Sequence, residues 1–257
     1  MSASVSPRPY EGRTALVTGS GQNIGRAIAL AFARLGANVV LNGHRNRAAI
    51  DAVAAEVRAL GANALAVLAD VADPAAVQLM VDQATAAFGN VDISVSNASV
   101  RLHTPFLDIS LEEWQRIINS NLNASFYLAR SVIPGMKQHG WGRIIHISGR
   151  DGFMPIPNRV HNITCKAGVY AMAKALAIEF GQFGITANTV SPGLIDTTRD
   201  WSQYPQFRDG YGERVKEIPV RRVGHVVEIA AACTYLASDA AGFVTGQVLH
   251  VNGGDVM

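Results

Sequence analysis

Cysteine, charge and long apolar runs are all scarce in this chain, and each scarcity removes a class of protein. Two cysteines in 257 residues, Cys165 and Cys233, lie far apart within helical patterns and form no disulfide framework. A reducing cytoplasm is the expected setting. Charged residues make up 16% and nearly cancel at net +2, so the basic stripe of a nucleic-acid binder is missing. No apolar run reaches the roughly 18 to 20 residues of a spanning helix, which argues against a membrane partner. Residues 1–10 are Ser/Pro-rich without the apolar stretch of a signal peptide and read as a disordered tail. No metal-ligand cluster, repeat or linker stands out. What is plentiful is apolar sequence, 49% of the chain, enough for one large core over residues 11–257.

Apolar strands alternate with helical patterns from end to end. Strands are expected at 13–18, 38–41, 64–68, 91–95, 142–147, 185–190 and 247–251. Helices are expected at 24–35, 48–60, onward from Pro74, 111–136, 160–183 and 226–236. Buried strands alternating with helices imply a doubly wound, Rossmann-type α/β domain: a parallel sheet of about seven strands with both faces covered. A Pro/Gly/aromatic-rich excursion over 193–219, with Trp201, Tyr204, Phe207 and Tyr211, interrupts the alternation. It has the look of a substrate lid, and its aromatics would equally suit a subunit boundary.

The turn Thr18-Gly19-Ser20-Gly21-Gln22-Asn23-Ile24-Gly25 joins the first strand to the first helix. Glycines there let backbone approach a pyrophosphate whose charge rests on the helix N-terminus. Asn23 stands where a glycine is usual, and asparagine tolerates positive φ better than most residues. The second strand ends in Asn42-Gly43-His44-Arg45 with Arg47 beyond and no carboxylate. An acidic residue would select the ribose hydroxyl of NAD, whereas a guanidinium grips a phosphate, so NADP(H) is favoured over NAD(H). The alternative is that Arg45 and Arg47 are solvated charges.

These motifs resemble the short-chain dehydrogenase/reductase family, and the resemblance runs in order over nearly the whole chain. It implies that Asp70 and Val71 contact adenine. It also implies that Asn97 and Ala98, within Ser96-Asn97-Ala98-Ser99, and Pro192-Gly193 line the cofactor. Lys166 matches the family's active-site lysine and Asn121 its relay asparagine. The family's serine and tyrosine are replaced by Gly149 and Asn162. Neither supplies a titrating hydroxyl. His161, beside the vacant tyrosine position, is a candidate proton donor, although one residue along a helix is a turn of about 100°. Its alternative is a histidine packed against the neighbouring helix. Lys166, desolvated, is a second candidate donor. Ser148 is expected to point to the other face of its strand, His146 to be a satisfied core histidine, and Cys165 to pack.

Arg101, His103, Arg150, Asp151 and Arg159 crowd the substrate side, with Asn162 among them, and suggest a polar substrate, anionic or polyhydroxylated. The resemblance implies an NAD(P)(H)-dependent oxidoreductase acting on a small polar carbonyl, alcohol or conjugated compound. It also implies a homotetramer or homodimer built on helices 111–136 and 160–183. Two other readings stay open: a non-redox lyase or dehalogenase on the same fold, and a nucleotide-binding homologue without turnover.

Overall fold

The computed structural model describes residues 8–198 and 211–257. Seven parallel strands form one sheet: β1 (Thr14–Val17), β2 (Asn38–Gly43), β3 (Ala64–Leu68), β4 (Ile93–Ser96), β5 (Gly142–Ile147), β6 (Ile185–Pro192) and β9 (Val248–Val251). Their order is β3-β2-β1-β4-β5-β6-β9, and two-residue strands β7 (Ile195–Asp196) and β8 (Gly224–His225) pair separately. The helices are α1 (Asn23–Arg34), α2 (Arg47–Ala59), α3 (Pro74–Phe88), α4 (Leu111–Ile118), α5 (Ala124–His139), α6 (Val160–Phe180), α7 (Tyr211–Glu217) and α8 (Val226–Ala237). Among the described residues no helix is long and apolar enough to cross a membrane.

Strand alternation divides the core in two. Ala15 and Val17 of β1 pack with Ile28, Phe32, Val39 and Leu236 on one face of the sheet. Leu16, between them, packs with Val40, Met80, Leu128 and Ile144 on the other. Both faces are buried, which is why the strands read as unbroken apolar runs. The starts of α2, α3 and α4 follow side-chain caps. Asn46 accepts from Ala49 N–H at 3.0 Å, Asp73 from Ala75 N–H at 2.9 Å ahead of Pro74, and Ser110 from Glu113 N–H at 3.1 Å. From β1 the chain builds outward through β2 and β3, then restarts on the other side at β4. Connections therefore diverge between the carboxyl ends of β1 and β4 and leave a crevice there.

Two expectations are corrected. The helix expected over 111–136 is divided by a π-helical turn at Asn119–Asn123 and runs on to His139. Three asparagines and a serine within five residues compete for backbone bonds, and such turns collect at functional sites. Tyr10, expected in a disordered tail, is instead packed: it is 3% exposed, stacks edge-on against Phe32 and bonds through its hydroxyl to Thr234 O.

Tyr10→Ala should destabilise the fold by about 3 kcal/mol, as for other buried aromatics. Tyr10→Phe, which loses only the hydroxyl bond, should cost about 1 kcal/mol. Urea midpoints of the three proteins decide between these values.

Candidate functional site

Loops leaving the strand carboxyl ends enclose a cleft of about 1330 Å³, larger than the roughly 300 to 1,000 Å³ of ordinary small-ligand pockets. Its floor at one end is the turn between β1 and α1. Gly19 has φ +62°, and an added Cβ would stand 3.0 Å from Ala98 Cα. A Cβ on Gly25 would meet Gly19 O at 2.3 Å. Only glycine lets these three backbones converge. Asn23 adopts φ 49°, the left-handed conformation expected of it, and its carboxamide bonds both ways to Thr198, at 2.9 and 3.3 Å. Gln22, the residue before α1, makes no side-chain cap, so the first N–H groups of the helix have no side-chain acceptor. A pyrophosphate fits this cradle. Asn97 anchors β4 to it, donating to Thr18 O at 2.9 Å and Gly19 O at 3.1 Å. Gly21 does not line the cleft: a Cβ there would touch Ala49 Cβ at 3.3 Å, so this glycine admits α2.

Beyond the cradle, His44, Arg45, Asp70 and Val71 line the wall. His44 Nε2 lies 3.5 Å from Asp70 Oδ2. Asn42 occupies the end of β2, where an acidic residue would select NAD. Its carboxamide is spent on the fold, accepting from Gly19 N–H at 3.3 Å and donating to Ala69 O at 3.0 Å. Arg47 pairs with Asp51 at 2.9 Å within α2, the solvated alternative, which leaves Arg45 as the guanidinium on the cleft.

At the other end Lys166 is 8% exposed and donates to Ile147 O at 3.2 Å. Burial, reinforced by the charge of Arg101, pushes its ammonium down to about 7. Ser148 lines the cleft as well, its hydroxyl donating to Lys166 O at 3.2 Å. It lies just past the last residue of β5, so the expected strand alternation does not carry it away. Gly149 is extended, and the nearest atom to an added Cβ is Pro192 O at 4.0 Å. The family's serine is absent for want of a side chain and not for want of room.

Asn162 and Asn121 form a buried lattice. Asn121 Nδ2 donates to Asn162 Oδ1 at 3.1 Å. Asn121 also bonds Val100 N–H and C=O, each at 2.7 Å, while Asn162 Nδ2 donates to Leu102 O at 3.1 Å. Asn162 borders the cleft and Asn121 lies behind it. His161 belongs to the same lattice and not to the cleft, which corrects its expected role. It is fully buried, its Nε2 is 3.1 Å from Glu113 Oε1, and its Nδ1 accepts from Asn162 N–H at 2.8 Å. An accepting Nδ1 places the ring proton on Nε2, toward Glu113. Packing against α4 is the outcome for this residue.

Cys165 directs its thiol at Ile117 O, 3.7 Å away, and burial pushes it up to about 11, which suits packing and not nucleophilic attack. His146 corrects another expectation: it is buried, but no described side chain or backbone group bonds either ring nitrogen, and burial pushes it down to about 4. Arg150 and Arg159 line the cleft with carboxylates attached, Asp255 and Asp151 respectively. Arg101, Asp151, Pro192 and Gly193 line it too. Sequence reasoning missed Thr198 and the trio Arg116, Asn119 and Ser120. Polar residues spaced three and four apart on one helix were a usable signal for the trio. Trp201, Tyr204 and Phe207 lie outside the described residues, as does the side chain of Tyr211.

Known proteins match this chain over nearly its whole length. The family profile described as enoyl-(acyl carrier protein) reductase covers residues 19–255. A 3-oxoacyl-[acyl-carrier-protein] reductase of Escherichia coli K12 is 38% identical over 248 residues, 96% of this chain and 99% of the relative. A protein with the same activity from Staphylococcus aureus N315 is 34% identical over 245 residues, 95% and 98% of the two chains. A solved protein described as a short-chain alcohol dehydrogenase, from Sinorhizobium meliloti 1021, superposes with a TM-score of 0.91 at 30% identity, covering 97% of this chain and 98% of its own.

Gly25→Val should weaken nucleotide binding at least about tenfold, a loss of about 1.4 kcal/mol, while the circular-dichroism spectrum stays that of the parent. Isothermal titration reads the loss. Lys166 makes a pH prediction. Its folded-state value, about 7, lies below the 10.5 of a free lysine, so unfolding takes up a proton between those values. Stability therefore rises with pH across that window. In Lys166→Met the rise should vanish, giving the variant its greatest advantage at and below pH 7 and a shrinking one toward pH 10, in urea midpoints.

Proposed function

Because the chain belongs to the short-chain dehydrogenase/reductase family, we propose that it is an NAD(P)(H)-dependent oxidoreductase of a carbonyl, alcohol or conjugated substrate, with a proton-transfer group of its own. The observation that carries this reading is the joint survival, in one cleft, of the glycine cradle and the buried Lys166. A nicotinamide dinucleotide bound there would supply the hydride. Gly19, Asn23, Ile24 and Gly25 would hold its pyrophosphate, Asp70 and Val71 its adenine, and Asn97, Ala98, Pro192 and Gly193 the opposite end.

Arg45 supports NADP(H): it stands on the cleft wall at the end of β2, where no carboxylate opposes a ribose phosphate. Lys166 Nζ, brought near neutrality by burial, would hold the nicotinamide end of the nucleotide beside the substrate. The relatives reduce 3-oxoacyl groups on acyl carrier protein, which makes a 3-oxoacyl thioester the first substrate to try. The arginines support an anionic or polar substrate, although those at 150 and 159 already hold carboxylates. Ile178 of α6, 86% exposed, and Phe126 of α5 leave an apolar face on the two helices that would join subunits into a homodimer or homotetramer.

One observation favours a second reading, a nucleotide-binding protein without turnover. The carboxamide that replaced the tyrosine is bonded at both ends, and both nitrogens of His161 are engaged. Titration with NADPH, followed by its absorbance in the presence of 3-oxoacyl thioesters, separates the two. Binding with oxidation supports the oxidoreductase, and binding alone supports the silent protein.

Arg45→Ala should raise the Kd for NADPH about tenfold, some 1.4 kcal/mol, and leave that for NADH unchanged. Equal effects on both nucleotides would return Arg45 to the solvated charges.

A further inference from the structure

We propose that His103 is the group that exchanges a proton with the substrate, presented to the cleft by a segment fastened to the lattice that stands in the tyrosine's place. The proposal rests on the oxidoreductase reading above. Of the histidines that border the Asn121–Asn162 lattice, His161 is sealed into it, whereas His103 is half-buried and lines the cleft.

Residues 100–104, which follow β4, are held at alternate positions. Val100 is bonded through both backbone groups to Asn121, and Leu102 C=O accepts from Asn162. Thr104 N–H donates to Asn158 O at 2.9 Å, and Thr104 also bonds Glu113, the partner of His161. Between these anchors Arg101 and His103 line the cleft, together with Val100. Leu102 C=O lies 3.1 Å from the Asn162 carboxamide, so His103 begins one peptide unit from the position the family gives to its phenol. Asn162, which lacks a titrating group, thus holds one that the preceding loop supplies.

The charges around His103 come from three elements. Arg159 precedes α6 and Asp151 follows β5, while His161 lies in α6 and Arg101 in the segment itself. Burial, with Arg159, His161 and Arg101, lowers the imidazole below its ordinary value, and Asp151 acts the other way. The imidazolium is therefore a stronger acid than a free one. In reduction, a hydride from the reduced nicotinamide nucleotide reaches the carbonyl carbon and the C=O π pair moves onto oxygen. The imidazolium form of His103 gives an N–H proton to that oxygen and is left as the neutral ring, which takes up a proton from solvent before the next turnover. Alcohol oxidation runs the same transfers backward, with neutral His103 accepting the hydroxyl proton.

His103→Gln keeps a hydrogen-bonding side chain without a titrating group. With NADPH and a 3-oxoacyl thioester, its kcat should fall at least about 100-fold, the usual contribution of a positioned acid. The kcat of the parent should decline as pH rises through the imidazole range, and that limb should be missing from the variant. NADPH affinity should stay within about twofold of the parent's. Independently of turnover, diethyl pyrocarbonate followed by peptide mass mapping should modify His103 in the parent and spare His161, with NADP⁺ and product protecting His103.

A parent that turns over while His103→Gln retains its kcat and pH limb overturns the role of His103 and leaves the oxidoreductase reading standing. So does a loss confined to KM, which would mark a binding residue, and so does a His103 that resists the reagent. A parent that binds NADPH and oxidises it with no thioester, ketone or enone overturns both.

Discussion

The bond from Asn121 to Asn162, 3.1 Å between two buried carboxamides, joins the π turn after α4 to the first turn of α6. Through it the segment after β4 acquires its position, because Val100 hangs from one amide and Leu102 from the other. An unsatisfied buried amide is costly, so each partner enforces the geometry of the next. In the family that this chain belongs to, a phenol and a relay occupy this region. Here the same space carries a scaffold, and the chemistry of the cleft is set by what the scaffold presents.

The cradle at the opposite end obeys a steric rule instead. Gly19, Gly25 and Ala98 converge so closely that a single methyl group would part them. Asn97 then ties the strand to the loop with its amide. Steric exclusion at one end and amide bonding at the other explain how the protein keeps a nucleotide-shaped crevice while departing from the family at its centre.

The fold was legible because both sheet faces are buried and every strand reads as an apolar run, as in Thr14–Val17. Boundaries within helices were less so: the π turn at Asn119–Asn123 leaves the apolar period nearly intact, and only its run of asparagines betrays it. Tyr10 was hidden by the prolines and serines before it, since one buried aromatic makes no pattern. At the site, the glycine spacing located the cradle, because those residues act through backbone position, and the family motif located Lys166. The fate of His161 was not legible: its partner, Glu113, is 48 residues away and joins it only through the packing of α4 on α6. Arg150 and Arg159 looked like free charges for the same reason, their carboxylates being fixed by tertiary structure.

The two departures from the family are not equivalent in depth. At Gly149 the backbone is extended and the nearest obstacle is 4.0 Å from where a β-carbon would sit, so one could be added without moving a neighbour. At Asn162 the reverse holds, since a bulkier ring would have to break the contacts that fix two helices and a loop. One wall of the cleft therefore has space for an added β-carbon, while the other is tied into the architecture.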